Sequence, residues 1–330
     1  FMTQSIFTVS QAVQKIQGGK NLLVAGDEKA LRQLPRGSWI GGTIPYFVGE
    51  AGGVFSQDKV LITEWPAAVE SAEVKVYTSK TVSRVYADIP ANGFAFVLIP
   101  GMSQTHLGFA VEAPGYDQFA MRPLLGWITG VNLAELGKVS PKVFVGSTGE
   151  VVEDGCVAMH VKLQPGKLAD LGIVNLFQPG KGDSIRFAST GFSAKDAIIN
   201  GKRENLADYL ARVQADTKLP LVADYLGAMI NVSFQNVDAV KKEVAFYAPV
   251  FAGVEYKLAA PVGNYVQDFA GHIPQGLEGV AFSCNCILNY LYSELEGKKT
   301  GAFVGPITFG EVAYQLLNQT LVYLKIEDAV

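Results

Sequence analysis

The order of apolar and polar positions along this chain predicts short helices set between many strands. Val9, Val13 and Ile16 recur at helical spacing, so residues 8–16 predict a helix with Ser10 as its N-cap. Residues 22–25 then read as a short buried strand, and residues 28–34 as a helix stopped by Pro35. Residues 38–47 are β-branched and aromatic around Gly41 and Gly42, which predicts a strand broken there by a bulge or a close backbone approach. Further strands are expected at residues 60–64, 73–78, 95–99, 143–146, 156–163 and 184–188. Leu206, Tyr209, Leu210 and Val213 share one helical face over residues 205–213, just after the turn signal Asn200-Gly201. Beyond it, strands are expected near residues 229–234, 244–247, 254–258 and 279–283. A helix follows near 287–295, and closing strands near 303–312 and 320–326.

Two stretches echo each other. Residues 22–62 and 279–324 both read strand, helix, strand, turn, strand. Gly37 aligns with Gly301, Trp39 with Phe303, Ile40 with Val304 and Gly41 with Gly305. After a two-residue length difference, Gln57 aligns with Gln319 and Val60 with Val322. The expected fold is therefore mixed α/β (α+β), in two lobes of mixed β-sheets flanked by helices, with an internal duplication. No Pro-, Ser- or Gly-rich linker separates the lobes. The softest boundary is residues 214–220, which gives an N-terminal lobe over 2–215 and a C-terminal lobe over 216–330.

Composition narrows the setting. The 27 basic and 31 acidic residues leave a net charge of −4 with no Lys/Arg run, which argues against a nucleic-acid partner. Only 18% of residues are charged and 49% are apolar, enough to build a large core. The apolar windows near residues 93–102 and 244–254 are interrupted by Pro and far shorter than the roughly 20 residues of a membrane-spanning helix. Residues 2–19 lack the apolar core of a signal peptide, and three cysteines make no secreted disulfide framework. The expectation is a cytoplasmic protein without a membrane partner, whose low surface charge suits a homo-oligomer.

Candidate chemistry is sparse. Cys284 and Cys286 flank Asn285 where a strand turns into a helix, a place that favours thiolate, so the pair reads as small packed residues, as ligand-lining groups or as a nucleophile. A zinc site lacks the paired Cys or His spacings it would need. Ser103 follows an apolar strand and precedes His106. The second glycine of a nucleophile elbow is replaced by Thr105, so Ser103 reads as a helix cap, a polar-ligand seat or a catalytic serine. The glycine pairs form no phosphate or dinucleotide loop, and no cofactor is expected. Glu311, beside Gly310 in an apolar strand, needs a cationic partner if buried, or else faces the surface.

The segment from residue 279 to 328 resembles the C-terminal half of FIST (F-box and intracellular signal transduction) domains. The resemblance rests on Phe282-Ser283-Cys284-Asn285, on Gly305 through Gly310-Glu311, and on Asn318-Gln319-Thr320-Leu321. Ile40-Gly41-Gly42-Thr43 is similar to the glycine element of the N-terminal half, and Ile199-Asn200-Gly201-Lys202 to the joining segment. The resemblance implies a non-enzymatic sensory module that binds a small metabolite such as an amino acid and signals through a separate partner. The basic residue expected after the Ser-Cys-Asn corner is replaced by Cys286 and Ile287. The expected cleft comprises Gly41, Gly42 and Thr43 from one lobe and Ser283, Cys284, Asn285, Gly305 and Glu311 from the other, with Ser103 and His106 as a further ligand seat. In it, Ser283 and Asn285 would hydrogen-bond the ligand and Glu311 would pair with its cationic group. The rival readings are a cysteine- or serine-dependent hydrolase and a structural assembly protein.

Overall fold

The computed structural model describes residues 3–225, 227–274 and 279–329. Met2 and Val330, the outer ends of the two expected lobes, lie outside them. The chain divides into two compact units. One comprises Phe1–Val174, Ile273–Leu316 and Leu321–Val330; the other comprises Asn175–His272 and Leu317–Thr320. Residue 215, where the sequence suggested a boundary, lies inside the second unit.

Strand β1 (Gln4–Thr8) runs into helix α1 (Val9–Gln17). Thr8, not Ser10, is the cap: its hydroxyl accepts from Gln11 N while the Gln11 side chain accepts from Thr8 N. Strand β2 (Leu22–Gly26), helix α2 (Glu28–Leu31) and strand β3 (Trp39–Thr43) follow, with β2 and β3 parallel. The strand continues through Gly41-Gly42, in register with Val24 and Ala25, and breaks only after Thr43, just before Pro45. A hairpin, β4 (Tyr46–Gly49) and β5 (Gly52–Phe55), and strand β6 (Lys59–Glu64) complete this segment. β6 lies antiparallel between β1 and β2.

The same order then recurs. β7 (Val69–Tyr77), β8 (Gly93–Pro100), α3 (Gln104–Glu112) and β9 (Leu124–Thr129) are followed by the hairpin β10 (Val143–Val145) and β11 (Glu150–Val152), then by β12 (Cys156–Leu163). Again the pair flanking the helix is parallel and the last strand lies antiparallel between the first two. β13 (Lys167–Val174) opens a third copy, and the second unit is inserted after it.

That unit holds β14 (Ile185–Arg186), β15 (Gly191–Ala194), β16 (Asp196–Ile199), β17 (Lys202–Asn205) and α4 (Leu206–Arg212). It continues through β18 (Leu221–Tyr225), β19 (Ala228–Val232), β20 (Phe234–Asp238), β21 (Glu243–Val250), β22 (Lys257–Leu258) and α5 (Tyr265–His272). Its strands form three small sheets. Asn205 caps α4, whose Leu206, Tyr209 and Leu210 are buried while Val213 is exposed. Asn318 and Gln319 belong here: Asn231 donates to Asn318 O at 3.0 Å, and Ser233 to Gln319 Oε1 at 2.6 Å.

The third copy resumes with β23 (Val280–Cys286), α6 (Ile287–Tyr292), β24 (Gly305–Thr308), β25 (Glu311–Ala313), β26 (Gln315–Leu317) and β27 (Leu321–Asp328). The expected single strand over 303–312 is interrupted at Phe309 and Gly310. β23 is parallel to β24 and antiparallel to β27, and β27 pairs with β13. Hence the fold is mixed α/β, and its internal repetition is threefold. The hairpins are exchanged in a ring: β4 pairs with β24, β10 with β3 and β25 with β9.

Gly41, Gly126 and Gly305 occupy corresponding places in the middle of β3, β9 and the start of β24. A Cβ on Gly126 would stand 1.8 Å from Val97 O and one on Gly305 1.9 Å from Ser283 O, closer than any side chain tolerates. The inner faces of the three sheets meet where Leu23, Leu61, Phe96, Leu98, Trp127, Phe282 and Pro306 enclose a void of about 10 Å³. Among the described residues no helix is long and apolar enough to cross a membrane.

Candidate functional site

Most of the residues expected to line a cleft are buried around this interior. Ser283 N donates to Gln4 Oε1 at 2.7 Å, Gln4 Nε2 donates back to Ser283 O at 3.2 Å, and the Ser283 hydroxyl donates to Val304 O at 2.6 Å. The Asn285 side-chain oxygen accepts from Cys286 N at 2.8 Å and from Asn289 Nδ2 at 3.0 Å. Glu311 is fully buried, with the Thr308 hydroxyl donating to its Oε2 at 3.1 Å. Cys284 is near this carboxylate, and burial first, then Glu311, push its thiol well above the usual range. The expected thiolate-favouring corner is therefore overridden by desolvation.

Gly42 faces the ring of Trp127: a Cβ there would lie 2.6 Å from the indole and 2.7 Å from Thr129 Cγ2. Thr43 Oγ1 accepts from Lys142 N at 2.9 Å, which joins β3 to the hairpin that docks on it. Gly41 lies on the other face of β3, where a Cβ would meet Trp39 and Val24 O. The space beside Ser283, Cys284, Asn285 and Gly305 measures about 10 Å³, room for one water. The fold thus brings Ser283, Cys284, Asn285 and Gly305 together around this small space, with Glu311 buried near Cys284.

Ser103 and His106 stand apart on α3. Ser103 is the N-cap, its Oγ accepting from His106 N at 3.1 Å. His106 Nδ1 accepts from Met102 N at 3.0 Å, so this nitrogen is not free to take a proton from Ser103. Burial lowers the His106 pKa to about 4, and its Nε2 has no partner among the described residues. A second histidine, His160 on β12, is likewise desolvated to about 4. Its Nε2 lies 2.7 Å from the Tyr77 hydroxyl, which donates to Asp88 at 2.8 Å. No group of three or more His, Cys, Asp or Glu among the described residues could hold a metal ion.

Space of metabolite size lies in the second unit. A cleft of about 540 Å³ is lined by Pro179, Arg186, Val222, Asp224, Tyr225 and the 253–257 segment. Ile185 bridges Tyr256 in antiparallel fashion, which sets Arg186 beside Glu255: Nη2 donates to the carboxylate at 2.9 Å, and Nη1 to Gly253 O at 3.1 Å. Across the floor, Val222 of β18 is opposite Lys257 of β22. Asp224 Oδ1 accepts from Gly227 N at 2.7 Å, which fixes that carboxylate at the strand's end. None of these residues stood out in the sequence, because their charges are isolated and only strand pairing brings them together.

Residues 7–327 match the model of a family described as a family of unknown function, DUF6976. The chain belongs to DUF6976. No curated protein matches it. The matched residues run through both units of this DUF6976 member.

Proposed function

We propose that this chain is a small-molecule-binding sensory module with no chemistry of its own, and that the cleft of the second unit is its ligand seat. The observation that carries this is the contrast in volume: about 540 Å³ there, against about 10 Å³ beside Ser283, Cys284, Asn285 and Gly305. Ligand sites of small molecules fall at roughly 300–1,000 Å³. The nucleophile candidates support the same reading, since Cys284 is buried with a raised thiol pKa and Ser103 is committed to a helix cap. The FIST resemblance of residues 279–328 favours binding over catalysis, with signalling through a separate partner or a homo-oligomer. The Ser283–Glu311 cluster then serves to lock the three repeats together.

Thermal unfolding against amino acids, organic acids, nucleotides and sugars tests the proposal. A ligand that binds only the native state stabilises it by near 2.7 kcal/mol at about 100 times its dissociation constant. Val254→Trp, which fills the cleft, is expected to abolish the rise in melting temperature. A rise that persists in Val254→Trp places the ligand elsewhere and overturns the assignment.

A further inference from the structure

The chemistry of the cleft narrows its occupant, and this step rests on the proposal that the cleft is the ligand seat. Four charged side chains line it, Arg186 and Lys257 against Asp224 and Glu255. A seat for phosphate or another anion would carry surplus positive charge. Here the signs balance, which selects a ligand without net charge. Arg186 and Glu255 already neutralise each other at 2.9 Å. A guanidinium and a carboxylate held side by side still present spare donors and acceptors at one place.

The remaining polar groups point the same way. Asp224 Oδ2, Lys257 Nζ and the Tyr225 hydroxyl have no hydrogen-bond partner among the described residues. A carboxylate only accepts and an ammonium only donates, so one kind of ligand group that serves both is a hydroxyl. The Tyr225 ring, with Phe251 packed 6.3 Å away, adds an apolar face to this polar rim. Such a face suits the C–H side of a sugar ring, just as aromatic rings elsewhere combine apolar contact with a polar edge. Size excludes the smallest metabolites: about 540 Å³ corresponds to roughly 18 waters at about 30 Å³ each. A free amino acid occupies only a small part of that space, whereas a ligand of two sugar rings is accommodated within it and takes up most of it.

We infer that the cleft binds a neutral, polyhydroxylated ligand the size of a disaccharide, held by the Arg186–Glu255 pair, Asp224 and Lys257, with Tyr225 against a ring face. Isothermal titration of the full chain with maltose, cellobiose, lactose and N,N′-diacetylchitobiose, beside free amino acids and inorganic phosphate, tests this. At least one disaccharide is expected to bind, with affinity changing less than twofold between low and high salt. Tyr225→Ala and Asp224→Asn are each expected to weaken it at least tenfold while leaving the melting temperature of the unliganded protein in place. Binding of an amino acid or phosphate but of no disaccharide, lost in Val254→Trp, overturns the glycan class and leaves the cleft as ligand seat. Disaccharide binding that survives Val254→Trp overturns both. Silence from all four disaccharides overturns the inference.

Discussion

At the scale of single residues, burial governs the ionisable groups of the first unit. His106 and His160 are both held neutral, their pKa lowered to about 4 by desolvation. Unfolded, each would take a proton near 6.5. Between these values the unfolded chain binds more protons than the folded one, so stability falls as pH drops from about 6.5 to 4. Each histidine contributes up to roughly 3 kcal/mol of this loss, taking about 1.4 kcal/mol per pH unit. Urea unfolding at several pH values should show that slope, and His106→Gln with His160→Gln should flatten it. An unchanged slope in the double variant would assign the acid sensitivity to other groups. Glu28 and Asp88, whose carboxyls sit below their ordinary values beside Lys142 and Tyr77, lose their share only at lower pH. The cap at Ser103 was legible in the sequence because capping is local. The trapped state of His106 was not, because it depends on what the fold lays over it.

Among the elements, the parallel pairs decide where glycine is obligatory. Gly126 and Gly305 each turn their Cα toward a neighbouring strand's carbonyl, and any side chain there forces the strands apart. Gly126→Ala is therefore expected to destabilise by about 3 kcal/mol or more, read from denaturant midpoints. Gly108→Ala, in the open middle of α3 with nothing near its Cβ, should be neutral or stabilising by comparison. Equal effects of the two substitutions would show that the close strand approach is not required. The correspondence between Gly41 and Gly305 was visible in the sequence as an echo. Its third member escaped because β9, Leu-Leu-Gly-Trp-Ile-Thr, is buried on both faces and shows no alternation to mark it as a strand. The long joining segments before β10 and β23 also disguise the repeat spacing.

Over the whole molecule, the ring of exchanged hairpins makes each repeat depend on the other two. Cys156, Cys284 and Cys286 are all buried within that first unit, and burial raises the thiol pKa of Cys156 and Cys284. With Ellman's reagent at neutral pH, all three are expected to stay unreactive in the native protein and to react together at the rate of unfolding. A single thiol that reacts at once would revive the hydrolase reading. The second unit was not legible as a domain, since its chain leaves and re-enters the first unit without a linker signal. Its residues Asn318 and Gln319 are far along the sequence from Asn231 and Ser233, which they meet.

The sequence by itself determined the strand-rich mixed class, many strand cores, the cap at Ser103, and the kinship of the Gly41 and Gly305 segments. These follow from propensity, capping and periodicity, which act over a few residues. Only the tertiary structure decided that the repeat is threefold, that Ser283, Cys284, Asn285 and Glu311 are buried, and that a cleft opens between Arg186, Asp224 and Lys257. Those facts depend on which strands pair across long stretches of chain, and no local interaction records that choice.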